Sequence, residues 1–281
     1  MKTTHHTNHN RALSSMRFLP LAAAFVLCTS ACTNTAFAWG QVGHQAVAAI
    51  AEANLNPKAK ATIEKYIDGN SIIHYASWLD WYVSLPECKN IGHTASVDRD
   101  FKYTPAAADA PKIDAITAIN QSINTLRDYK KLPPETVALH IKILVHLLGD
   151  VHCPVHVKYA TIKTRFKVTV LGEEISYHQV WDHEVVDHRQ TRRWSFSEWV
   201  FHKNRLTKEQ IAEVTAGELR DWFNQTAQDS RVIYDWAKPG SKSEKITLNR
   251  DFLNKAIPLA ESQIQKAGYR LAKVLNTIFS E

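Results

Sequence analysis

The stretch Ile141-Lys-Ile-Leu-Val-His146-Leu-Leu-Gly-Asp150 constrains this chain more than any other part of it. It is apolar enough for a core helix, yet it carries an imidazole and a carboxylate four residues apart, on one helical face. A buried polar group without a partner costs about 1–3 kcal/mol, so the fold must bring polar side chains or a metal ion to this pair. A hydrogen-bonded core histidine is the plainer of the two outcomes.

Most of the remaining chain has helical period. Val42, Ala46, Ala49, Ile50 and Ala53 recur at steps of three and four, and the run ends at Asn56-Pro57. Helices are predicted over 41–55, 57–67, 74–84, 113–129, 134–150, 178–189, 208–217, 218–236 and 250–279. The Ala- and Pro-rich stretch 103–111 reads as a loop. Residues 166–177 alternate apolar and polar side chains around Gly172, as a β-hairpin does. The expected fold class is therefore mainly α, one helical domain with a small β-hairpin lying between two helices that carry candidate ligands.

The first 38 residues read as an export signal: Lys2, Arg11 and Arg17 precede the apolar run 19–27, and Ala36-Phe37-Ala38 offers a small-x-small cleavage site. Lipidation at Cys32 is the rival, but the Leu expected three residues earlier is missing. Cleavage leaves 39–281, an exported domain of ordinary size. Three basic residues and no acidic ones leave with the signal, so the formal charge falls from +6 to +3. Such a balance permits attraction to polyanions without announcing it. Cys88 and Cys153 remain; they can pair in an oxidising compartment, or Cys153 can be a buried free thiol.

A second imidazole–carboxylate pair, His178 and Asp182, shares the one-turn spacing, and His156 follows Asp150 closely. His44 lies five residues after the new N-terminus at Trp39, and Asp80 sits in the aromatic segment Ala76-Ser-Trp-Leu-Asp80. Nitrogen and oxygen donors of this kind suit zinc. A free α-amine with its own carbonyl oxygen can chelate as well, and its reference pKa of about 7.7–8.0 makes losing a proton to a metal inexpensive.

The motifs WGxxGH, ASWxD, HxxGDxxxPxH and HxxWD occur in this order between Trp39 and Asp182. In them the sequence resembles the S1/P1-type zinc nucleases, of the zinc phospholipase C/P1 nuclease superfamily, which cut single-stranded DNA and RNA and remove 3′-phosphates. The resemblance implies three zinc ions. One takes Asp80, His146 and Asp150; a second takes the amine and carbonyl of Trp39 with His44 and the bridging Asp150; the third takes His156, His178 and Asp182. It also implies hydrolysis by metal-activated water, with Asp80 the catalytic residue that orients the water or accepts its proton.

Departures from the pattern come with it. Where the family has a histidine followed by an aromatic residue as a further ligand of the first zinc, the alignable stretch is Asp100-Phe-Lys102-Tyr103. An ammonium has no lone pair. An extra water completes that site, or His93 swings in, or the site is weak. Val83 stands where a lysine is common, and Pro105 replaces a carboxylate that reads the base edge. Tyr103 is the candidate stacking residue and Lys102 a candidate phosphate contact. The alternatives are a zinc phospholipase C acting on phospholipid, which carries glutamate in the last ligand pair, and a degenerate metal-binding relative. No GxSxG nucleophile and no phosphate-cradling GxxxxGK[ST] loop is present.

Overall fold

The computed structural model describes Met1 and residues 39–190, 195–237 and 245–280, with the side chains of 188–190 left aside. Apart from Met1, the expected export segment 1–38 lies outside the described residues.

Local chemistry sets most boundaries. Helix α1 (Gln41–Ala53) stops before Asn56, whose side chain accepts the Ala59 N–H and caps α2 (Pro57–Tyr66), with Pro57 in the first turn where its missing N–H costs nothing. The predicted helix 74–84 is broken instead into a 3-10 turn, Ile72–Tyr75, and the short α3 (Trp78–Trp81). Asp114 caps α4 (Ala115–Leu126), and Pro134 opens α5 (Pro134–Asp150). A capping box of Ser176 and Gln179 starts α6 (Tyr177–Gln179), which passes through a π-helical turn, Val180–Glu184, into α7 (Val185–Gln190). Then follow α8 (Phe196–Lys203), α9 (Lys208–Val214), α10 (Leu219–Ser230), α11 (Ile233–Trp236) and α12 (Arg250–Phe279).

Two small sheets complete the described residues. Strands β1 (Ala95–Val97), β2 (Tyr103–Thr104) and β3 (Val157–Tyr159) form one in the order β2-β1-β3, with β1 and β3 parallel. Tyr103 thus begins a strand rather than a loop. Strands β4 (Lys167–Val170) and β5 (Glu173–Ser176) form the expected hairpin, and β6 (Thr247–Leu248) joins its free edge. Leu171 and Gly172 turn between β4 and β5 with φ of 52° and 93°, the two left-handed residues that a tight hairpin requires.

The mainly α architecture has α5 at its centre. Helix α12 packs along both α1 and α5, while α4 lies on α5 from another side. Leu144, Leu147 and Leu148 are completely buried, and so are His146 and Asp150 on the same helix. The described residues from Trp39 onward belong to one unit. Among the described residues no helix is long and apolar enough to cross a membrane.

Candidate metal centre

Asp150, the last residue of α5, is the hub of the site. Its Oδ1 lies 3.4 Å from His44 Nε2, and its Oδ2 lies 3.0 Å from His93 Nδ1 and 3.3 Å from His146 Nε2. Asp80, from α3, turns Oδ1 to the same two histidines, at 3.4 Å from His146 Nε2 and 3.5 Å from His93 Nδ1. Its Oδ2 makes a longer approach of 3.9 Å to His44 Nε2. Beyond Asp150 a second group gathers: His156 Nε2 is 3.1 Å from His178 Nε2, which is 3.4 Å from Asp182 Oδ2.

Backbone carbonyls set the imidazole orientations. Nδ1 of His146 donates to the Ala76 carbonyl at 2.9 Å, and Nδ1 of His156 donates to the His93 carbonyl at 2.7 Å. In the neutral rings this leaves the Nε2 lone pairs turned inward, the arrangement typical of metal-binding histidines. Gly149 makes the approach of His44 possible: a Cβ there would meet His44 Nδ1 at 2.9 Å. The Gly149 carbonyl also accepts the Trp39 indole N–H at 3.1 Å.

Trp39 is fully buried, and the Gly40 N–H donates to the Asp182 carbonyl at 2.5 Å. The peptide that leads into α1 is therefore laid across from the His44 side of the cluster to the Asp182 side.

The donors do not satisfy one another. Both Asp150 oxygens, both His44 ring nitrogens and Asp182 Oδ2 are buried without a properly directed hydrogen bond. Each orphan of this kind costs about 1–3 kcal/mol. Lone pairs converging with no hydrogen between them are satisfied by a cation, and an all nitrogen-and-oxygen set fits zinc. Among the described residues, three groups of donor atoms lie close enough to hold an ion: His44, His146 and Asp150; Asp80, His93 and His146; and a group with one sulfur, Cys153, His156 and Asp182.

The electrostatics agree with this division. Burial pushes the Asp182 carboxyl well above its ordinary value, helped by the Asp150 and Asp80 charges. Burial acts on Asp150 too, but His146 and His93 overcome it and hold that carboxyl well below the usual range. Burial lowers His156 to about 4 and also lowers His44, with His146 adding to the effect there. Both are therefore neutral near pH 7 and have lone pairs to give.

The expected residues Trp39, His44, Asp80, His146, Asp150, His156, His178 and Asp182 are thus brought together, but Lys102 is not. Its side chain is exposed and faces a cleft lined by Asp221, Gln225 and Arg270. Of the completions left open for the first site, the geometry brings His93 rather than Lys102 to Asp80 and His146, at 3.5 Å and 3.2 Å. The reason is strand register. Parallel pairing of Ala95 with Val157 sets His93 beside His156, while Lys102 lies past the turn in which the Asp98 N–H donates to the Lys102 carbonyl. The sequence offered His93 as one of three completions of this site, with no spacing to choose among them.

Tyr103 is half-buried and its hydroxyl is committed, donating to Asp114 at 2.9 Å, with Thr117 Oγ1 at 3.2 Å. Burial pushes its phenol up to about 12. Cys88 and Cys153 are both buried and both free, so the pairing left open by the sequence is not made; the Cys153 sulfur lies 4.0 Å from Asp182 Oδ1 instead.

Residues 39–280 match the family described as S1/P1 Nuclease. Endonuclease 3 of Arabidopsis thaliana is 23% identical over 287 residues, covering 91% of this chain and 94% of its own length. Nuclease S1 of Aspergillus oryzae is 24% identical over 296 residues, with 94% and 99% covered. Nuclease P1 of Penicillium citrinum is 23% identical over 279 residues, with 85% and 97% covered.

Proposed function

Because this chain belongs to the S1/P1 nuclease family, we propose that residues 39–281, released from the export segment 1–38, form a secreted zinc-dependent enzyme that cuts single-stranded DNA and RNA and accepts 3′-nucleotides. Membership makes the chain a hydrolase of phosphodiester bonds. The observation that carries the rest of the reading is the shell of buried, unpartnered donor atoms around Asp150.

We assign Asp80, His93, His146 and Asp150 to one zinc ion. A second is held by His44, Asp150 and the amine and carbonyl of Trp39, which cleavage after Ala38 would make the N-terminus; the family match begins at this residue. A third is held by His156, His178 and Asp182. Zinc bound in this way lowers the pKa of water and neutralises charge on a phosphate.

The chain's own groups do the remaining work. Asp80 is nearly buried, at 9% exposure, and its Oδ2 is the carboxylate oxygen least engaged by the histidines. That atom orients the attacking water and takes its proton. The carbonyls of Ala76 and His93 lock the rings of His146 and His156, so the ligands need little reorganisation when substrate arrives. The indole of Trp39, seated against Gly149, closes the protein side of the site.

Purified mature protein, with its zinc counted, assayed on single-stranded DNA, RNA, a 3′-mononucleotide and phosphatidylcholine tests the reading. Nucleic-acid hydrolysis abolished by chelator and restored by zinc is expected. Bound zinc without hydrolysis of any nucleic-acid substrate, or hydrolysis of the phospholipid alone, would overturn it.

A further inference from the structure

On the far side of α3 from the buried cluster lies a cleft of about 450 Å³ that the ligand set does not use. It falls within the range of roughly 300–1,000 Å³ expected of small-molecule sites. Its walls are aromatic and unusually exposed: Trp81 is 71% and Tyr82 46% accessible. The Tyr82 ring stacks on Trp78, with centroids 5.0 Å apart and planes 23° from parallel. Beside them the Lys142 ammonium sits 5.1 Å from the Trp78 ring centre and 4.3 Å from that of Tyr75. Among the described residues it has no carboxylate within ion-pair distance. Ser77 Oγ, shielded from solvent at the same cleft, has no hydrogen-bond partner.

We propose that this cleft is a second nucleotide site, seating one unpaired nucleotide of the substrate strand with its base on Trp81 and Tyr82 and its phosphate on Lys142. The proposal rests on the nuclease reading and extends it.

The chemistry selects the occupant. Exposed indole and phenol faces stack unpaired bases, whose faces a duplex does not offer, and an unpaired ammonium beside them supplies a point charge for a phosphate. A lipid chain would leave Lys142 and Ser77 unsatisfied. Position joins the cleft to the cluster. Trp81 directly follows Asp80, Gln45 in the cleft wall directly follows His44, and Lys142 lies one turn before His146 on α5. The same three helices therefore hold both sites. Thr94, not an aromatic residue, follows His93, whereas the rings of Trp81 and Tyr82 are open to solvent.

The test uses zinc-loaded protein and a nine-nucleotide phosphorothioate-linked single strand, checked to remain intact during the measurement, with affinity read by fluorescence anisotropy and by quenching of tryptophan emission. Trp81→Ala and Lys142→Gln should each weaken binding on the order of tenfold, the size expected from loss of one stacked base or one phosphate contact. Trp81→Phe should recover most of the loss, and Lys142→Gln should flatten the salt dependence. Trp81 is largely in solvent and Gln keeps most of the Lys142 stem, so both variants are expected to fold; circular dichroism checks this. Affinities within twofold of wild type for both variants, or equal binding of the matching duplex, overturn the proposal. Wild-type hydrolysis of the unmodified strand is measured in parallel. Its absence sinks the nuclease reading, whereas hydrolysis together with unchanged variant affinities sinks the cleft alone.

Discussion

His156 donates its Nδ1 proton to the main-chain carbonyl of His93, 2.7 Å away, and so turns Nε2 toward His178. One hydrogen bond thus ties a ligand of one proposed zinc to a ligand of another. It is made possible by the parallel pairing of β1 with β3 just beyond both residues. The two histidines are 63 positions apart in the chain, and their contact fixes the site's middle.

The first prediction separates His93 from Lys102. Replacing His93 with Ala removes a nitrogen 3.0 Å from Asp150 and 3.2 Å from His146, and should weaken zinc at that position by at least about tenfold, by comparison with the 10–100-fold losses seen for residues one shell further out. Lys102→His should leave zinc stoichiometry unchanged. Metal content after dialysis against a graded chelator decides it; a gain of zinc in Lys102→His would restore the sequence alignment at the expense of the geometry.

A second concerns Gly149. The Cβ of an alanine there would lie 2.9 Å from His44 Nδ1, so the ring or α5 must shift. Overpacking of this kind costs about 1–3 kcal/mol. Gly149→Ala should lower both the melting temperature and the zinc count, and a variant that keeps all its zinc and melts with wild type would show that His44 is not held this tightly.

Metal removal should destabilise the fold as well as silence it. Zinc binds the folded donors, and at a free concentration of a hundred times Kd a single site adds about 2.7 kcal/mol. Chelation should therefore lower the melting temperature, with the orphaned Asp150, Asp182 and His44 left to bear the burial. A protein that carries an additional residue before Trp39 lacks the chelating amine and should be deficient in zinc. Thermal melts with N-terminal sequencing and metal counting test both; equal zinc in the extended and the cleaved chain would contradict the role given to the amine.

Asp114 yields a prediction in pH. Its carboxylate accepts from Tyr103, Thr117 and the Ala106 N–H, joining β2 to the start of α4. Burial alone would raise its pKa, but the backbone N–H groups of Ala106 and Thr117 lead the bonds that hold it below the ordinary 3.8. A depressed carboxyl stabilises the fold above the unfolded value, and that stability is lost as pH falls through the folded one. Asp114→Asn should therefore cost about 1–3 kcal/mol in urea unfolding at pH 7 and progressively less as pH drops below 3.8. A cost that does not shrink in acid would assign the effect to packing.

Much of the site was legible because its motifs are local. His146 and Asp150 are four apart on one helix, as are His178 and Asp182, and periodicity alone puts each pair on one face. The hairpin at Gly172 was legible for the same reason. Helix α8 was not predicted, although Ser195 and Glu198 form a capping box that the sequence displays. Strands β1, β2, β3 and β6 run two or three residues, too few for any alternation to register.

The amino-acid sequence by itself determined that this chain is mainly helical, that polar donors would sit inside an apolar helix, and that those donors belong to the pattern of a zinc nuclease. These are properties of neighbours within a turn or two, where backbone geometry dictates which side chains share a face. Tertiary structure alone decided that His93 and not Lys102 joins Asp80, that Tyr103 spends its hydroxyl on Asp114, and that Trp81, Tyr82 and Lys142 open onto one cleft. Each of these depends on the register of short strands or the meeting of separate helices. Such contacts follow from how the whole core packs, and a linear spacing carries no measure of it.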